Sequence, residues 1–481
     1  MSELVSISID GIQIQVPKGL NLIETAKLVG VEIPHYCYHP DLSIAGNCRM
    51  CQVELKGSPK LVIACNTFVG EGMEVFTHRT SEKVRETQQA NLEFILKNHP
   101  LDCTVCDQSG HCKLQDYYFE YSRRESRLLE TKVKKKKAFS IGKHVMLDAE
   151  RCILCTRCVR FLDEITKTSE LGVINRGDRS EIDLYPGKRL DNPLSATVID
   201  LCPVGALTYS DWRFNTRIWF TEPTDTICVG CSRNCSVRVH QRDGKVVTVK
   251  ARYNKEVNKE WLCDEGRFGF NRFIPIMRVG MDSTSSNSIE NFRKAVIQGL
   301  EISIILSSFL TVEDITAFKS LANEFKNVRL IGLKIERNLD DVQKVLIKPD
   351  YSPNFETFNI VGIPLIKVRV DQQFPDLPDC RLGCAGLTIF EHQFFPEEIR
   401  FDFIFSPYVE FKSRTHNFIP TRSVYEKTGH FINSDRVMQK LNPLFTSTRK
   451  SEADLIFETF TTLRPIELNS NFRDNLGRSG L

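Results

Sequence analysis

Apolar and polar residues alternate along the first part of the chain and then change to a helical spacing. Residues 4–9 and 12–16 alternate on either side of Asp10-Gly11, a strong hairpin turn, and therefore predict two antiparallel strands. Asn21 precedes a short amphipathic run, which predicts a helix capped at that residue. Two strands and a helix in this order, followed by a turn-rich loop, predict a β-grasp domain.

The pattern changes again along the rest of the chain. A helical stripe begins at Ser81 and ends near residues 98–100. From about residue 285, buried strands alternate with helical segments, which predicts an α/β region. The elements predicted there are strands at 302–306, 328–333 and 399–405, a helix at 312–325, and a loop at 424–433 that turns at Gly429.

Composition narrows the functional class. The chain has 481 residues and 17 cysteines, too few per residue for a small disulfide scaffold. Its 64 basic and 61 acidic residues leave a formal charge of +3, without the basic excess of a nucleic-acid-binding protein. The longest apolar stretch, residues 302–310, is about half of what crosses a bilayer, and the first residues lack a signal or transit pattern. We therefore expect a reducing compartment, in which grouped cysteines are metal ligands or redox centres.

The first cysteine set is Cys37, Cys48, Cys51 and Cys65, with the spacing C-x10-C-x2-C-x13-C. The last member follows the strand-like residues 61–64. Four thiolates on a loop over a small sheet suit a [2Fe–2S] cluster, in which each iron takes two protein ligands. A structural zinc site is the alternative.

The second set has three cysteines, Cys103, Cys106 and Cys112, and needs a fourth ligand nearby. His99 supplies one in the pattern H-x3-C-x2-C-x5-C, which predicts a [4Fe–4S] site with one imidazole ligand. His111 competes for the role, although it adjoins Cys112 and its side chain would tend to point elsewhere.

The third set combines C-x2-C-x2-C with a distant Cys-Pro. Its members are Cys152, Cys155, Cys158 and Cys202, the last followed by Pro203. In two-cluster ferredoxins the cysteine beside proline completes the other cluster, so the set predicts one complete [4Fe–4S] site.

The fourth set is Cys228, Cys231, Cys235 and Cys263. Residues 237–249 lie between its members and predict a hairpin, because they contain Asp-Gly at their centre. The set predicts a further [4Fe–4S] cluster, with a zinc ribbon as the alternative.

Four iron–sulfur sites within about 230 residues indicate a protein that transfers electrons. No dinucleotide-binding or phosphate-binding glycine motif occurs, so we expect partner subunits to carry out the chemistry at both ends of the electron path. The basic run 132–137 is typical of a solvated linker, with docking to an acidic partner as the alternative. Cys380 and Cys384 lack the two further ligands that a four-ligand metal site needs, so we interpret them as buried thiols.

The first three sets, in this order, closely resemble the large iron–sulfur subunit of respiratory complex I, NADH:quinone oxidoreductase, called the G subunit in bacteria and the 75 kDa subunit in mitochondria. The resemblance is specific over residues 1 to about 220. The fourth set is similar to an extra [4Fe–4S] site of some bacterial members and to the opening domain of molybdopterin-dependent formate dehydrogenases. Residues 424–439 resemble a segment of the molybdopterin superfamily, with His430 where threonine is usual.

The resemblance implies a multidomain α+β fold. A β-grasp [2Fe–2S] ferredoxin domain would be followed by small helical and ferredoxin-like [4Fe–4S] domains and by an abridged α/β remnant of a molybdopterin-oxidoreductase-like domain without molybdenum. The expected domains are residues 1–78 (2Fe–2S), 79–138 (4Fe–4S with one histidine and three cysteine ligands), 139–221 (ferredoxin-like 4Fe–4S), 222–277 (4Fe–4S of the molybdopterin-oxidoreductase type) and 278–481 (the remnant). Since family members usually continue for several hundred residues more, a C-terminally shortened bacterial form is expected.

The resemblance also implies a path for electrons. They would enter from the NADH/FMN-binding subunit at the [2Fe–2S] site, pass to the Cys152 set and then to the His99 set, and leave toward the downstream iron–sulfur and quinone-site subunits of a proton-translocating enzyme. The fourth site would lie off this path. The expected location is the cytoplasmic side of the bacterial inner membrane, or the matrix side if organellar, with membrane contact only through the complex.

Two other functions remain open at this point. The chain could be the iron–sulfur subunit of a soluble NAD-linked hydrogenase or formate dehydrogenase, which would also transfer electrons. Alternatively, it could be a scaffold that binds zinc and has no redox role.

Overall fold

The computed structural model describes residues 3–122, 125–274, 283–372, 381–388 and 398–466, with the short pieces 375, 391, 393–396, 468 and 473–474. The described residues divide into two compact units, of which the first ends at Thr221 and the second begins at Glu222. Among the helices of the described residues, none is both long enough and apolar enough to span a membrane.

The first unit opens with a five-stranded sheet in the order β2-β1-β5-β3-β4. Its elements are β1 (Leu4–Ile9), β2 (Ile12–Pro17), α1 (Leu22–Leu28), β3 (Gln52–Leu55), β4 (Val62–Ile63) and β5 (Glu74–Phe76). Strand β1 pairs antiparallel with β2 and parallel with β5, the arrangement expected of a β-grasp domain. The side chain of Asn21 accepts a hydrogen bond from the Glu24 amide at 3.0 Å, which confirms the predicted helix cap.

The rest of the first unit consists of short elements around the cysteine loops. They are α2 (Glu82–Leu96), α3 (Lys113–Tyr121), β6 (Phe139–Ser140), β7 (Val145–Leu147), α4 (Arg157–Arg160), β8 (Leu171–Ile174), β9 (Glu181–Leu184), α5 (Thr197–Leu201) and β10 (Leu207–Tyr209). Strands β10, β7 and β6 form one small sheet, and β8 pairs with β9. Helix α2 begins after its cap Ser81, as the sequence predicts.

The second unit opens with an antiparallel sheet of β11 (Glu222–Ile227), β12 (Ser236–Arg242) and β13 (Lys245–Ala251), which confirms the predicted hairpin. A six-stranded parallel sheet follows, in the order β16-β15-β14-β17-β18-β19. Its strands are β14 (Ile302–Leu306), β15 (Val328–Glu336), β16 (Leu365–Arg369), β17 (Arg381–Ala385), β18 (Phe403–Ser406) and β19 (Phe418–Pro420). Counted along the chain, this is the 3-2-1-4-5-6 order of doubly wound α/β folds.

Helices cover the sheet and a small hairpin ends the unit. The described helices are α6 (Asp264–Phe268), α7 (Ser283–Ile297), α8 (Val312–Glu324), α9 (Phe355–Val361) and α10 (Glu452–Thr459), and the closing strands are β20 (Gly429–Ile432), β21 (Val437–Leu441) and β22 (Arg473–Asp474). All five residues of β14 are buried. Alternate residues face two cores, with Ile304 in one and Ile305 in the other, as expected for a central strand with both faces covered.

Two predictions in this region were wrong in part. The strand predicted at 399–405 begins only at Phe403, because its pairing with β17 starts there. The loop predicted at 424–433 contains strand β20, which pairs with β21. Gly429 does not turn the chain; a Cβ at this position would lie 2.6 Å from a carboxylate oxygen of Glu313, so glycine allows close packing.

Candidate metal centres

The first cysteine set forms two pairs of thiols. The Sγ atom of Cys37 lies 3.4 Å from that of Cys48. The hydrogen bond between these side chains lowers the pKa of Cys37 to about 5. A second thiol–thiol hydrogen bond, from Cys51, lowers the pKa of Cys65. Each pair therefore contains one sulfur that is stabilised as a thiolate.

The third set surrounds one small apolar cavity. Cys152, Cys155, Cys158 and Cys202 all line it, together with aliphatic side chains such as Leu147. The backbone of the motif is left-handed at Leu154 and Thr156, and the Leu154 amide donates to Cys152 Sγ at 3.4 Å. Burial raises the pKa of Cys152 to about 12, so a thiolate here requires a bound cation to compensate its charge.

Residues of helix α4 connect the first and third sets. The Arg160 guanidinium donates to the carbonyl oxygen of Cys37 at 2.5 Å and to that of Cys155 at 3.2 Å. The Asn47 side chain, in the loop of the first set, donates to the carbonyl oxygen of Leu154 at 2.9 Å. The two cysteine loops are thus fixed to one another by direct hydrogen bonds.

The second set lies around a cavity of about 580 Å³, lined by His99, Cys103, Cys106 and Cys112. The Nδ1 atom of His99 is buried and, among the described residues, has no hydrogen-bond partner. Burial, and then the charges of Arg151 and Lys132, lower the pKa of His99 to about 4, which keeps the imidazole neutral. A neutral imidazole is the form that binds a metal.

The competing histidine has a different environment. The His111 ring stacks on the Trp212 ring, with centroids 6.2 Å apart and planes 9° from parallel. His111 is absent from the described lining of the cavity that holds His99 and the three cysteines. The structure thus brings His99, rather than His111, to the second set.

The second and third sets meet along the backbone that follows Cys202. The Sγ atom of Cys112 lies 3.9 Å from the carbonyl oxygen of Pro203. A Cβ at Gly205 would lie only 2.2 Å from Cys106 Sγ, so a side chain at this position would collide with the thiol. Sequence reasoning missed Gly205, and its only signal was a glycine three residues after Cys202.

The prediction of a solvated linker at 132–137 was wrong in part: Lys134 and Lys136 are exposed, but Lys132 and Lys137 have partners within the fold. Lys132 donates to the carbonyl oxygens of Leu96 and Lys97, both at 2.9 Å, at the end of α2. Lys137 pairs with Asp102, and also with Asp148 at 3.2 Å and Glu150 at 3.1 Å. These lysines therefore hold the segment against the residues that flank the second and third sets.

Arg151 extends this charged network. It is buried, and its Nε atom donates to the Asp102 carboxylate at 3.0 Å. Since Asp102 precedes Cys103 and Arg151 precedes Cys152, the ion pair joins the starts of the two cysteine motifs. Burial opposes the charge of Arg151, but Cys106, Asp148 and Asp102 more than offset it and raise the pKa of the guanidinium.

The fourth set is buried within the second unit. All four thiols, of Cys228, Cys231, Cys235 and Cys263, are less than a tenth exposed. The amide of Gly266 donates to Cys263 Sγ at 3.3 Å, and a Cβ at Gly266 would lie 3.1 Å from Cys228 Sγ. Burial raises the pKa of all four thiols, of which Cys228 reaches about 12.

Two further observations concern sites for a single metal ion and the cysteines outside the four sets. Within the part of the chain that the structure describes, no three His, Cys, Asp or Glu side chains converge closely enough to hold one metal ion. Cys384 is fully buried in β17, as predicted, and burial raises the pKa of its thiol. Cys380 lies outside the described residues.

Sequence models of four families match the chain. They are the 2Fe-2S iron-sulfur cluster binding domain (residues 2–80), the NADH-ubiquinone oxidoreductase-G iron-sulfur binding region (88–127), the ferredoxin-like domain of NADH-quinone oxidoreductase subunit 3 (142–208) and the molybdopterin oxidoreductase Fe4S4 domain (221–273). The chain therefore contains both 2Fe–2S and 4Fe–4S binding domains in a mixed α and β fold.

Named relatives agree with these families. The chain is 37% identical over 385 residues to the NADH-ubiquinone oxidoreductase 75 kDa subunit of Reclinomonas americana, covering 76% of this chain and 54% of that protein. It is 40% identical over 267 residues to the NADH-quinone oxidoreductase G subunit of Rickettsia bellii, covering 56% of this chain and 39% of that protein. It is 37% identical over 333 residues to the NADH-quinone oxidoreductase G subunit of Streptomyces coelicolor, covering 66% of this chain and 39% of that protein. The chain spans about half the length, or less, of these curated relatives.

Among solved structures, the chain is similar to one from an NAD+-reducing [NiFe]-hydrogenase in the H2-reduced state, with 29% identity over 44% of this chain and 91% of that one. The TM-score is 0.40, which supports no statement about the fold. Because the family regions and the named relatives agree, the chain belongs to the family of the G, or 75 kDa, iron–sulfur subunit of NADH–quinone oxidoreductase.

Proposed function

We propose that this chain relays electrons through bound iron–sulfur clusters within NADH:quinone oxidoreductase, from the NADH/FMN-binding subunit toward the subunits that reduce quinone. The observation that carries the proposal is a packed core in the first unit. This core contains Cys37, Cys112 and Cys155, one from each of the first three sets, with Tyr36 and Val204 among them. Redox centres in one packed core lie close to one another and are shielded from water, which favours electron transfer between them.

The proposed ligands are the four sets predicted from the sequence. They are Cys37, Cys48, Cys51 and Cys65 for one [2Fe–2S] cluster, and His99, Cys103, Cys106 and Cys112; Cys152, Cys155, Cys158 and Cys202; and Cys228, Cys231, Cys235 and Cys263 for three [4Fe–4S] clusters. When bound, such clusters take up and release single electrons, with potentials set by ligand type, burial and hydrogen bonds to sulfur.

The pairing in the first set supports a centre with two metals. Two thiolates on one tetrahedral metal with bonds of about 2.3 Å lie about 3.8 Å apart. The 3.4 Å between Cys37 and Cys48 is close to this separation. Because Cys51 and Cys65 form a second pair, each iron of a [2Fe–2S] cluster would receive its two ligands from one pair.

The environment of the second set supports His99 as its fourth ligand. His99 shares a cavity with Cys103, Cys106 and Cys112 and has an unpartnered buried nitrogen. A bond to a metal would give the buried His99 imidazole the partner that the surrounding side chains do not provide. An imidazole in place of a thiolate makes the site less negative and raises its potential, which suits a late position in the relay.

The contacts between sets support the order first, third, second. Arg160 and Asn47 fix the loop of the first set to that of the third, and the backbone at Pro203 and Gly205 lies against Cys112 and Cys106 of the second. The third set thus has direct contacts with both of the others. The residues of this chain position the centres and exclude water, and no bond-making chemistry is assigned to them.

The fourth set and the α/β region would serve structure in this proposal. Asp350 and Gln439 hydrogen-bond to the loop of the fourth set, so a cluster there would connect that loop to the region around it. We propose that residues 278–481 form a molybdopterin-oxidoreductase-like domain without molybdenum, and that domain boundaries lie near 78, 138, 221 and 277. The proposed site of action is the peripheral arm of the complex, on the cytoplasmic or matrix side.

Analysis of anaerobically purified protein tests the proposal. We expect about 14 iron atoms per chain with an equal amount of acid-labile sulfide. Protein that is folded but binds zinc without sulfide would contradict the redox function. A single exchange, Cys384→Ala, is the control, because this buried thiol belongs to none of the four sets and its loss should leave the iron content unchanged.

A further inference from the structure

Arg160, the last residue of α4, contacts the loops of the first and the third cysteine set at the same time. Its Nη2 atom donates to the carbonyl oxygen of Cys37 at 2.5 Å and to that of Cys155 at 3.2 Å. Its Nη1 atom donates to the carbonyl oxygen of Ser43, and its Nε atom to the Thr156 hydroxyl at 3.3 Å. All three nitrogens of the guanidinium are therefore held between two loops that carry proposed ligands of different clusters.

These contacts leave the charge of Arg160 without a hydrogen-bonded counterion. Every acceptor of its guanidinium that the structure describes is a neutral oxygen atom of a carbonyl or hydroxyl group. The carboxylate of Glu164, one turn further along the chain, instead accepts from the Ser43 amide at 2.9 Å and from the Ser43 hydroxyl. A guanidinium stays ionised under all ordinary conditions. Arg160 is half-buried and thus places a permanent positive charge between the two loops.

A positive charge in this place has a consequence for redox centres on either side. A cluster with four thiolate ligands has a net negative charge, and reduction makes it more negative. A nearby cation therefore stabilises the reduced state more than the oxidised state and raises the potential. This attraction is stronger in a partly buried site than in bulk water. Because Arg160 bonds to Cys37 and to Cys155, one charge acts on both centres.

We propose that Arg160 is a positioning residue that raises the reduction potentials of the first-set and third-set clusters together, by holding one positive charge beside a ligand residue of each. The inference rests on the proposed function, because it requires a cluster in both sets. Since both potentials change in the same direction, the driving force for transfer between the two clusters changes less than either potential. Asn47 joins the same loops through a 2.9 Å bond to the Leu154 carbonyl oxygen, but it is neutral and lacks this effect.

Arg160→Gln tests the inference, because it removes the charge and retains an amide that can donate to a carbonyl oxygen. The full chain is purified anaerobically and its clusters are titrated with EPR detection, with Cys155→Ala identifying the third-set signal by its loss. We expect the reduction equilibria of the first-set and third-set clusters each to change about tenfold, a lowering of about 59 mV for one electron. The second-set potential should change less, because the described bonds of Arg160 go to none of its ligands.

Two matched variants separate the charge from the connection between the loops. Asn47→Ala removes a bond between the same loops without removing a charge, and Arg160→Lys keeps the charge without the planar guanidinium. Both variants should keep the two potentials close to those of the wild type. A midpoint does not depend on occupancy, so a smaller yield of assembled protein leaves each result readable.

Unchanged potentials in Arg160→Gln would overturn the inference, and so would a shift of only one cluster or an equal shift in Asn47→Ala. Arg160→Lys decides the case in which Arg160→Gln does not assemble, since potentials lowered despite the retained charge would overturn the inference as well. None of these results would touch the proposed function, which fails only if the wild-type chain shows no iron–sulfur signals.

Discussion

The three cysteine sets of the first unit and the single set of the second unit differ in the contacts that hold them in place. In the first unit, Cys37, Cys112 and Cys155 pack in one core, so that each site contacts the surroundings of another. In the second unit, Asp350 accepts hydrogen bonds from the amide and hydroxyl of Ser232, at 2.9 and 2.6 Å, between two cysteines of the set. The first arrangement connects sites to each other, whereas the second connects one site to its own fold.

This difference separates two roles for the same kind of motif. Where sites share a core, loss of one ligand should interrupt electron transfer. Where a site is bonded to the surrounding α/β region, loss of a ligand should weaken the fold and leave transfer largely intact. The four predictions below contrast these roles, from the largest expected effect to the smallest.

Cys155→Ala should have the largest effect, because Cys155 belongs to the set that contacts both others. We expect one [4Fe–4S] signal to disappear and NADH:quinone electron flux in the assembled complex to fall to background. EPR detects the [4Fe–4S] signal, and a steady-state activity assay measures the NADH:quinone flux. Cys384→Ala, which removes a buried thiol from β17, is the control and should retain both. Normal flux in the assembled Cys155→Ala complex would contradict the central position of the third set.

Gly205→Ala should disrupt the contact between the second and third sets. The added methyl group would lie 2.2 Å from Cys106 Sγ, and relieving such a collision costs about 1–3 kcal/mol of folding free energy. We expect loss or broadening of the second-set signal and lower thermal stability of the first unit. Gly187→Ala provides a comparison with no neighbouring atoms within 4 Å of the new methyl, although the positive φ of Gly187 adds a backbone strain that Gly205 does not have. Equal spectra of the two variants would argue against the packing shown here.

Cys263→Ala should have a smaller effect on electron transfer. We expect loss of one [4Fe–4S] signal and a lower unfolding temperature, since the cluster would stabilise the fold that binds it. Most of the NADH:quinone flux should remain in complex that has assembled. Calorimetry and activity assays distinguish the two effects. Loss of flux without loss of stability would place the fourth set on the electron path.

His99→Cys should have the mildest effect. A thiolate would replace a neutral imidazole, so the cluster should be retained but become more negative and harder to reduce. EPR-monitored titration should show a lower midpoint for one [4Fe–4S] signal only. His111→Ala, which removes the ring stacked on Trp212, should leave that midpoint unchanged. If the two variants gave the opposite pattern, His111 would be the ligand.

Much of this molecule could be predicted from local sequence patterns. The first hairpin, the Asn21 cap and the buried strand at 302–306 follow from alternation, turn chemistry and apolar content, and the structure confirms them. Most members of the cysteine sets follow from spacing, because ligands close in sequence must be close in space, whereas Cys202 follows from the Cys-Pro pattern of two-cluster ferredoxins. Their assignment to clusters stays a prediction until metal is measured.

Long-range packing could not be predicted in the same way. Gly429 has the sequence signal of a turn, but it is required where β20 passes the Glu313 carboxylate. The lysine run has the composition of a solvated linker, but Lys132 and Lys137 bind partners more than thirty residues earlier in the chain. The role of Gly205 likewise depends on Cys106, a neighbour that only the folded chain brings close to it.

Freeze-quench EPR of assembled Cys155→Ala complex, after mixing with NADH, tests the central claim most directly. The proposed order predicts that the [2Fe–2S] signal appears at the wild-type rate while the second-set [4Fe–4S] signal fails to appear. Reduction of the second set at the wild-type rate in this variant would show that electrons bypass Cys155. That result would contradict the relay through the shared core.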